Sequence, residues 1–178
     1  MAARSESERE RLRRISILNA RLPRKRTIAQ GLLRDPRGRV LVCELSYKKE
    51  WDLPGGVVDP GESPATCVER EVQEELGIEV RAGRLLAVNW LPPWRGWDDA
   101  LLYLFDLGVH ESGELDPALF LRREIAGAHW LHVPDAAPHV ASYTARMLEV
   151  AADAEHPAYL ENSEPVGPAG SEAPPARR

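Results

Sequence analysis

Cysteine is nearly missing from this chain: Cys43 and Cys67 are the 2 in 178 residues. They supply neither a disulfide framework nor a zinc-spaced set. Cys43 sits in an apolar run and reads as a small core residue. Cys67 falls on a helical arc that leaves it open to solvent and to some reactivity. Long apolar stretches are also missing. Nothing approaches the roughly 20 consecutive residues that a membrane-spanning helix needs, and the N-terminal segment mixes acids with bases and has no apolar leader core. The expectation is a cytoplasmic protein that does not meet a membrane. Nor is there an excess of positive charge. The formal net charge is −5, which gives no reason to expect general nucleic-acid binding. A polyphosphate ligand would have to be met by metal ions and a few local cations.

What remains is enough for one domain with a proper core and hardly for two. Residues 1–25 are a charged N-terminal extension, partly helical or flexible, in which Leu12, Ile15, Ile17 and Leu18 could pack a helix on the domain edge. The basic run Arg21, Arg24, Lys25, Arg26 that follows reads either as a solubilising linker or as a contact for phosphate or a partner. Residues 26–152 hold the regular pattern. A strand spans Ile28 to Leu33, Asp35-Pro36-Arg37-Gly38 makes a hairpin turn, and a buried strand covers Val40 to Leu45. Further strands are expected over Ile78 to Trp90, Ala100 to Leu107 and Ala126 to Val133, with an amphipathic helix from Ala137 to Ala152. Residues 153–178, rich in Pro, Glu, Ala and Gly, read as a disordered tail. Strands before, between and after helices indicate an α/β domain with a mixed sheet covered on both faces.

The most informative stretch lies between Gly55 and Ile78. Ser63 is a good N-cap, Pro64 suits the first helical position, and Gly77 suits the residue after the last turn. On that helix, taking Glu71 as zero, Glu75 lies at about 40° and Glu74 at about −60°. Val68, Val72 and Leu76 fall on a separate apolar stripe. Like charges spaced three or four residues apart oppose helix formation, and a hard divalent cation with oxygen ligands would reverse that sign. The helix reads as a metal platform for phosphate chemistry.

Gly56, Glu62, Arg70, Glu71, Val72, Glu74, Glu75, Gly77 and Ile78 fill every specified position of the pattern G-x5-E-x7-R-E-U-x-E-E-x-G-U, with U aliphatic. Chance agreement is on the order of 10⁻⁹ per starting position at average residue usage. The stretch resembles the Nudix box. The resemblance implies an α/β/α sandwich with a mixed sheet and a loop–helix–loop catalytic box. It also implies Mg²⁺-dependent (or Mn²⁺-dependent) hydrolysis of the diphosphate linkage in a nucleoside diphosphate derivative. Mapped onto this chain, Glu71, Glu74, Glu75 and the Gly56 carbonyl would hold metal. Arg70 would orient a box acid with Glu62 as its partner, and Gly55 and Gly77 would be structural. The general base would be Glu71 or Glu124; the latter lies in Arg122-Arg123-Glu124-Ile125 ahead of Trp130, a layout similar to the family's second half.

Substrate contacts are expected from Trp94, Arg95 and Trp97 in the loop 91–99, where aromatic faces could stack on a base, and from Lys48. Nucleoside triphosphates are favoured slightly over ADP-ribose or nucleotide sugars. A catalytically silent nucleotide-binding module is the main alternative. A prenyl-diphosphate isomerase would need a catalytic cysteine that Cys67 is poorly placed to supply. Edge strands and tryptophans leave a homodimer open.

Overall fold

The computed structural model describes residues 6–153 and 156–167. Its organising element is the turn at residues 35–38. Asp35 accepts the Arg37 and Arg39 amides on one carboxylate oxygen at 3.0 and 2.8 Å, so the side chain does the work of a backbone turn. The flanking strands β1 (Arg26–Arg34) and β2 (Val40–Leu45) are thereby folded onto each other. The strand Gly55–Val57 (β3) runs antiparallel to β1, and Ala100–Val109 (β5) runs parallel to it. Leu85–Leu91 (β4) pairs antiparallel with β5, and Ile125–Leu131 (β6) antiparallel with β2. The result is the mixed sheet that the sequence predicts.

Side chains of β1 alternate between its faces. Ala29 and Leu33 join the core under the helix Pro64–Leu76 (α2) with Val68, Val72 and Leu76. Leu32 points to the opposite core, with Met147, Leu148 and Ala151 of the helix Ser142–Asp153 (α4). Two helical layers therefore sandwich one sheet. The predicted caps of α2 are in place. Ser63 Oγ accepts the Thr66 amide at 3.1 Å, and Gly77, at φ 74°, donates to the Gln73 carbonyl.

Four boundaries differ from expectation. The strand expected from Ile78 begins only at Leu85, because Glu69 takes the Ala82 amide at 2.9 Å and holds the approach as a loop. The helix expected from Ala137 begins at Ser142, after a short helix Val133–Ala136 (α3); Pro138 interrupts the run, and Val140 instead bridges to Trp51. The N-terminal helix Glu6–Arg21 (α1) exists, but its side chains from residue 7 onward are exposed rather than packed on the domain edge.

The fourth difference lies in the supposed disordered tail. Residues Ala158–Glu161 form β7, parallel to β4, and Glu164–Pro165 form β8. Composition hid this because the ordering comes from a partner. β4 is an open edge that offers the Trp90 carbonyl to Asn162 and the Asn89 side chain to the Ser163 amide, at 2.7 and 3.0 Å. Leu160 is fully buried in the α4-side core. Residues 168–178, where the rest of that tail falls, lie outside the described residues. Leu160→Ala is expected to lower stability by about 2–5 kcal/mol, the usual cost of emptying a buried leucine site, measured by denaturant unfolding. An unchanged midpoint would mean that β7 is not part of the folded sheet.

Candidate active site

The site is built where β3 passes over α2. Gly55 pairs with Gln30 and Gly56 with Ala29. Gly55 has φ 139°, and a Cβ there would lie 2.1 Å from the Ala29 carbonyl oxygen, so only glycine fits this crossing. At Gly56 a Cβ would come within 2.5 Å of the Glu71 carboxyl group. The missing side chain lets that carboxylate rest directly on the backbone. One turn further along α2, Glu75 is 6% exposed, and its Oε2 accepts the Gly55 amide at 3.0 Å.

Arg70 organises the other acids. Its Nε and Nη2 donate to the two oxygens of Glu62 at 2.9 and 3.1 Å, a bidentate pair. Glu62 is itself fixed by the Asp59 amide at 3.1 Å. Nη1 of Arg70 reaches Glu71 at 2.9 Å and Glu74 at 3.2 Å. The acids thus share one helix arc as predicted but are held by different donors, with Glu74 exposed to solvent. Among the described residues, no three His, Cys, Asp or Glu side chains already enclose a point that could hold an ion.

Charge at this centre is poorly balanced. Burial pushes the Glu75 carboxyl up to about 8, the charges of Glu71, Glu124 and Asp52 add to the effect, and the Gly55 amide opposes it. Burial also raises Glu71, with Glu74 and Glu124 adding and Arg70 opposing. Glu62 goes the other way, to about 2, through its hydrogen bonds from Arg70 and then from the Asp59 amide. Glu62 is held ionised at neutral pH as an anchor; Glu75 is an acid in want of a counter-charge.

Asp52 is the residue that sequence reasoning missed. It is buried, yet its Oδ1 accepts from Gln30 Nε2 at 2.7 Å, the Leu53 amide at 3.0 Å and Thr144 Oγ1 at 3.1 Å. Its Oδ2 accepts from Lys48 Nζ at 2.8 Å and the Tyr143 hydroxyl at 3.2 Å. One carboxylate therefore ties β1, the 46–50 loop, the strand leading to Gly55 and the start of α4 together. The available signal was weak: an acid set between Trp51 and Leu53 just before the glycines.

Of the predicted substrate residues, Lys48 is tied at 2.8 Å to Asp52, whose charge is one of those that raise Glu75. Glu124 is near enough for its charge to raise Glu71 and Glu75, while its Oε1 takes Arg123 Nε at 3.0 Å. Tyr47, unremarked in the sequence, faces the same acids: burial and then the charges of Glu75, Asp52, Glu124 and Glu71 raise its hydroxyl. Trp94, Arg95 and Trp97 are placed elsewhere, on an exposed turn beside the start of β1, with Arg95 over Trp94 at 4.3 Å and Arg26 over Trp97 at 4.6 Å. The expected exposure of Cys67 is overturned. It is fully buried because β3 crosses its turn of α2, and burial, with the charges of Glu62 and Glu71, raises its thiol to about 12. That also removes it as an isomerase nucleophile. Trp51 is packing, sandwiched between His129 and His139 at 4.3 Å on each side.

The Glu75 shift predicts a pH dependence. A carboxyl raised from 4.5 to about 8 binds its proton more tightly folded than unfolded, so its contribution turns unfavourable as pH rises through that window. Metal-free protein should therefore lose thermal stability across it, and Glu75→Gln should flatten this slope. Melting curves in chelator from about pH 5 to about pH 9 check this; parallel curves for the two proteins would refute it.

A family model described as "NUDIX domain" matches residues 24–152. The chain is 43% identical over 49 residues to diphosphoinositol polyphosphate phosphohydrolase 2 of Rattus norvegicus, covering 28% of this chain and 27% of that protein. It is 45% identical over 51 residues to a MutT-like protein of Streptomyces ambofaciens, covering 29% and 33%. The chain thus aligns with a third or less of the length of these curated relatives. The crystal structure of a MutT protein from Methanosarcina mazei Go1 superposes with a TM-score of 0.61 at 25% identity, covering 74% of this chain and 96% of that one. The match of the NUDIX model to most of the chain, on a fold of the same type, shows that this chain belongs to the Nudix family.

Proposed function

We propose that the chain is a pyrophosphohydrolase that cuts the diphosphate linkage of a nucleoside diphosphate derivative with the help of Mg²⁺ or Mn²⁺. The observation that carries this reading is the buried Glu75, bound to the Gly55 amide beside Glu71 and Glu124 with its charge uncompensated. The donors fit a hard cation. All are oxygens, and such an ion takes one or two carboxylates and completes its shell with waters and substrate phosphate, so a closed protein cage is not required. Glu71, Glu75 and the Gly56 carbonyl would hold it, with Glu74 assisting.

A bound cation supplies charge neutralisation of the phosphates and a more acidic water. The chain's own groups do the rest. Arg70, fixed by Glu62, sets the Glu71 carboxylate, and the Gly55 amide sets Glu75. Lys48, tethered by Asp52, brings positive charge to the acidic centre. On this reading Glu71 or Glu124 accepts the proton of the attacking water, which the nearness of both to Glu75 supports. Positioning and electrostatics are enough for such a reaction, because a phosphoryl centre needs little covalent help. No described helix is long and apolar enough to cross a membrane. The rat relative's name concerns diphosphoinositol polyphosphates; what carries over is the phosphohydrolysis.

A panel of nucleoside triphosphates, ADP-ribose and nucleotide sugars with Mg²⁺ should release nucleoside monophosphate from at least one member, and chelation should stop it. Glu75→Gln should lower kcat at least about a hundredfold, since even outer partners of metal ligands cost 10–100-fold. Nucleotide binding with no turnover under any divalent cation would instead make the chain a silent binding module. The base is identified separately. Replacing it by glutamine should cost about 10²–10⁴ in rate and remove the acidic limb of the pH–rate profile, so Glu71→Gln and Glu124→Gln must differ in that limb.

A further inference from the structure

The basic segment that leads into β1 has no role in the acidic centre, yet it lines a cavity. Arg24, Lys25, Arg26 and Thr27 form one wall, and the loop from Val57 to Glu62 forms the other, around 420 Å³. The two walls are joined where the Val58 amide donates to the Thr27 carbonyl at 3.0 Å and Ile28 pairs with Val57. Val58 is two residues of extended chain from Gly56, about 7 Å at strand spacing. Val57, which lines the cavity, directly follows Gly56, the glycine against which the Glu71 carboxylate rests.

Its charges do not cancel. Lys25 is engaged by Asp99 and Glu62 by Arg70, which leaves Asp59 as the one remaining acid of the lining against two arginines. Arg24 is exposed and has no acid partner among the described residues. Arg26 has none either, and its Nε–H is buried with no acceptor. A buried donor left unpaired is unfavourable by about 1–3 kcal/mol, and by more when charged. The arrangement is also held in place. The Arg26 guanidinium lies 4.6 Å over the Trp97 ring. Trp97 and Trp94 exchange two backbone hydrogen bonds of 2.9 and 3.0 Å, and Asp99 anchors the loop by accepting Trp90 Nε1 at 3.0 Å. A planar guanidinium steadied by an aromatic ring, with no acid partner among the described residues, matches the oxygens of a phosphate group.

We propose that this cavity is a phosphate subsite in which Arg26, steadied by Trp97, and Arg24 bind a phosphate of the substrate beyond the diphosphate that is cut. The assignment rests on the pyrophosphohydrolase reading and narrows it. The preferred class is a nucleoside triphosphate or a longer polyphosphate, rather than a nucleotide sugar whose far end carries no charge.

The test compares Arg24→Gln, Arg26→Gln and Arg26→Lys with the unaltered protein on a nucleoside triphosphate and on a nucleoside-diphosphate sugar with Mg²⁺. Each glutamine variant should raise KM for the triphosphate about tenfold with kcat retained, the worth of one charge-assisted hydrogen bond. KM for the sugar should stay put, and Arg26→Lys should fall between. Equal losses on both substrates, or an unchanged triphosphate KM in the exposed and fold-neutral Arg24→Gln, would overturn the subsite. Calorimetry with inorganic tripolyphosphate in chelator separates this from failure of the hydrolase reading. Binding by the unaltered protein that both glutamine variants lose supports the subsite even without turnover, and no binding by the unaltered protein refutes it.

Discussion

The site rests on one guanidinium. Arg70 grips Glu62 with two nitrogens and shares its third between Glu71 and Glu74. Without it, α2 would place like charges within one turn of each other, and Glu71 would lie against Gly56 with nothing to orient it. The pairing also works in the other direction. Glu62 belongs to the loop before α2, so the bond that calms the helix's own repulsion also fixes the path of the chain that leaves β3 and enters α2. Local electrostatics and loop geometry are solved by the same contact.

Asp52 does for the opposite face of the sheet what Arg70 does for the helix face. An acid buried among apolar neighbours is tolerable only if its lone pairs are filled, and this one takes five donors from four parts of the chain. Because Leu53 is among them, the strand that carries Gly55 and Gly56 is pinned two residues upstream of the crossing. The acidic centre is therefore braced from both helical layers, which keeps a cluster of mutually repelling carboxylates in place.

How much of this was legible in the sequence depends on the range of the forces involved. The caps of α2, its shared acidic arc and the turn at Asp35 all follow from residues within a few positions of one another, and all are present; the Arg70–Glu62 pairing, eight positions apart, is implied by the resemblance and is present too. The errors are tertiary. Cys67 lies beside the acidic arc on a helical projection, but a projection does not show that β3 covers that turn. Residues 158–165 have a composition that cannot order itself, and they order because β4 offers an unpaired edge. Asp52 was overlooked for the same reason, since its partners lie from one to more than ninety positions away. Trp94 and Trp97 stay exposed, as the loop composition suggests, but the guanidinium that lies over each ring, Arg95 and Arg26, is a contact that composition does not show.

The last strand has a consequence for how the molecule meets its own kind. Among the described residues β8 is outermost on its side of the sheet, and Pro165 faces Leu160 at a position flanked by the Tyr159–Val166 hydrogen bond. At such a position the backbone nitrogen is directed away from the neighbouring strand, and in proline it has no hydrogen to offer. The rim therefore presents a gap where an incoming chain would look for a donor. A very short terminal strand with this defect ends sheet growth at that border and guards it against the strand-to-strand accretion that exposed β-edges invite.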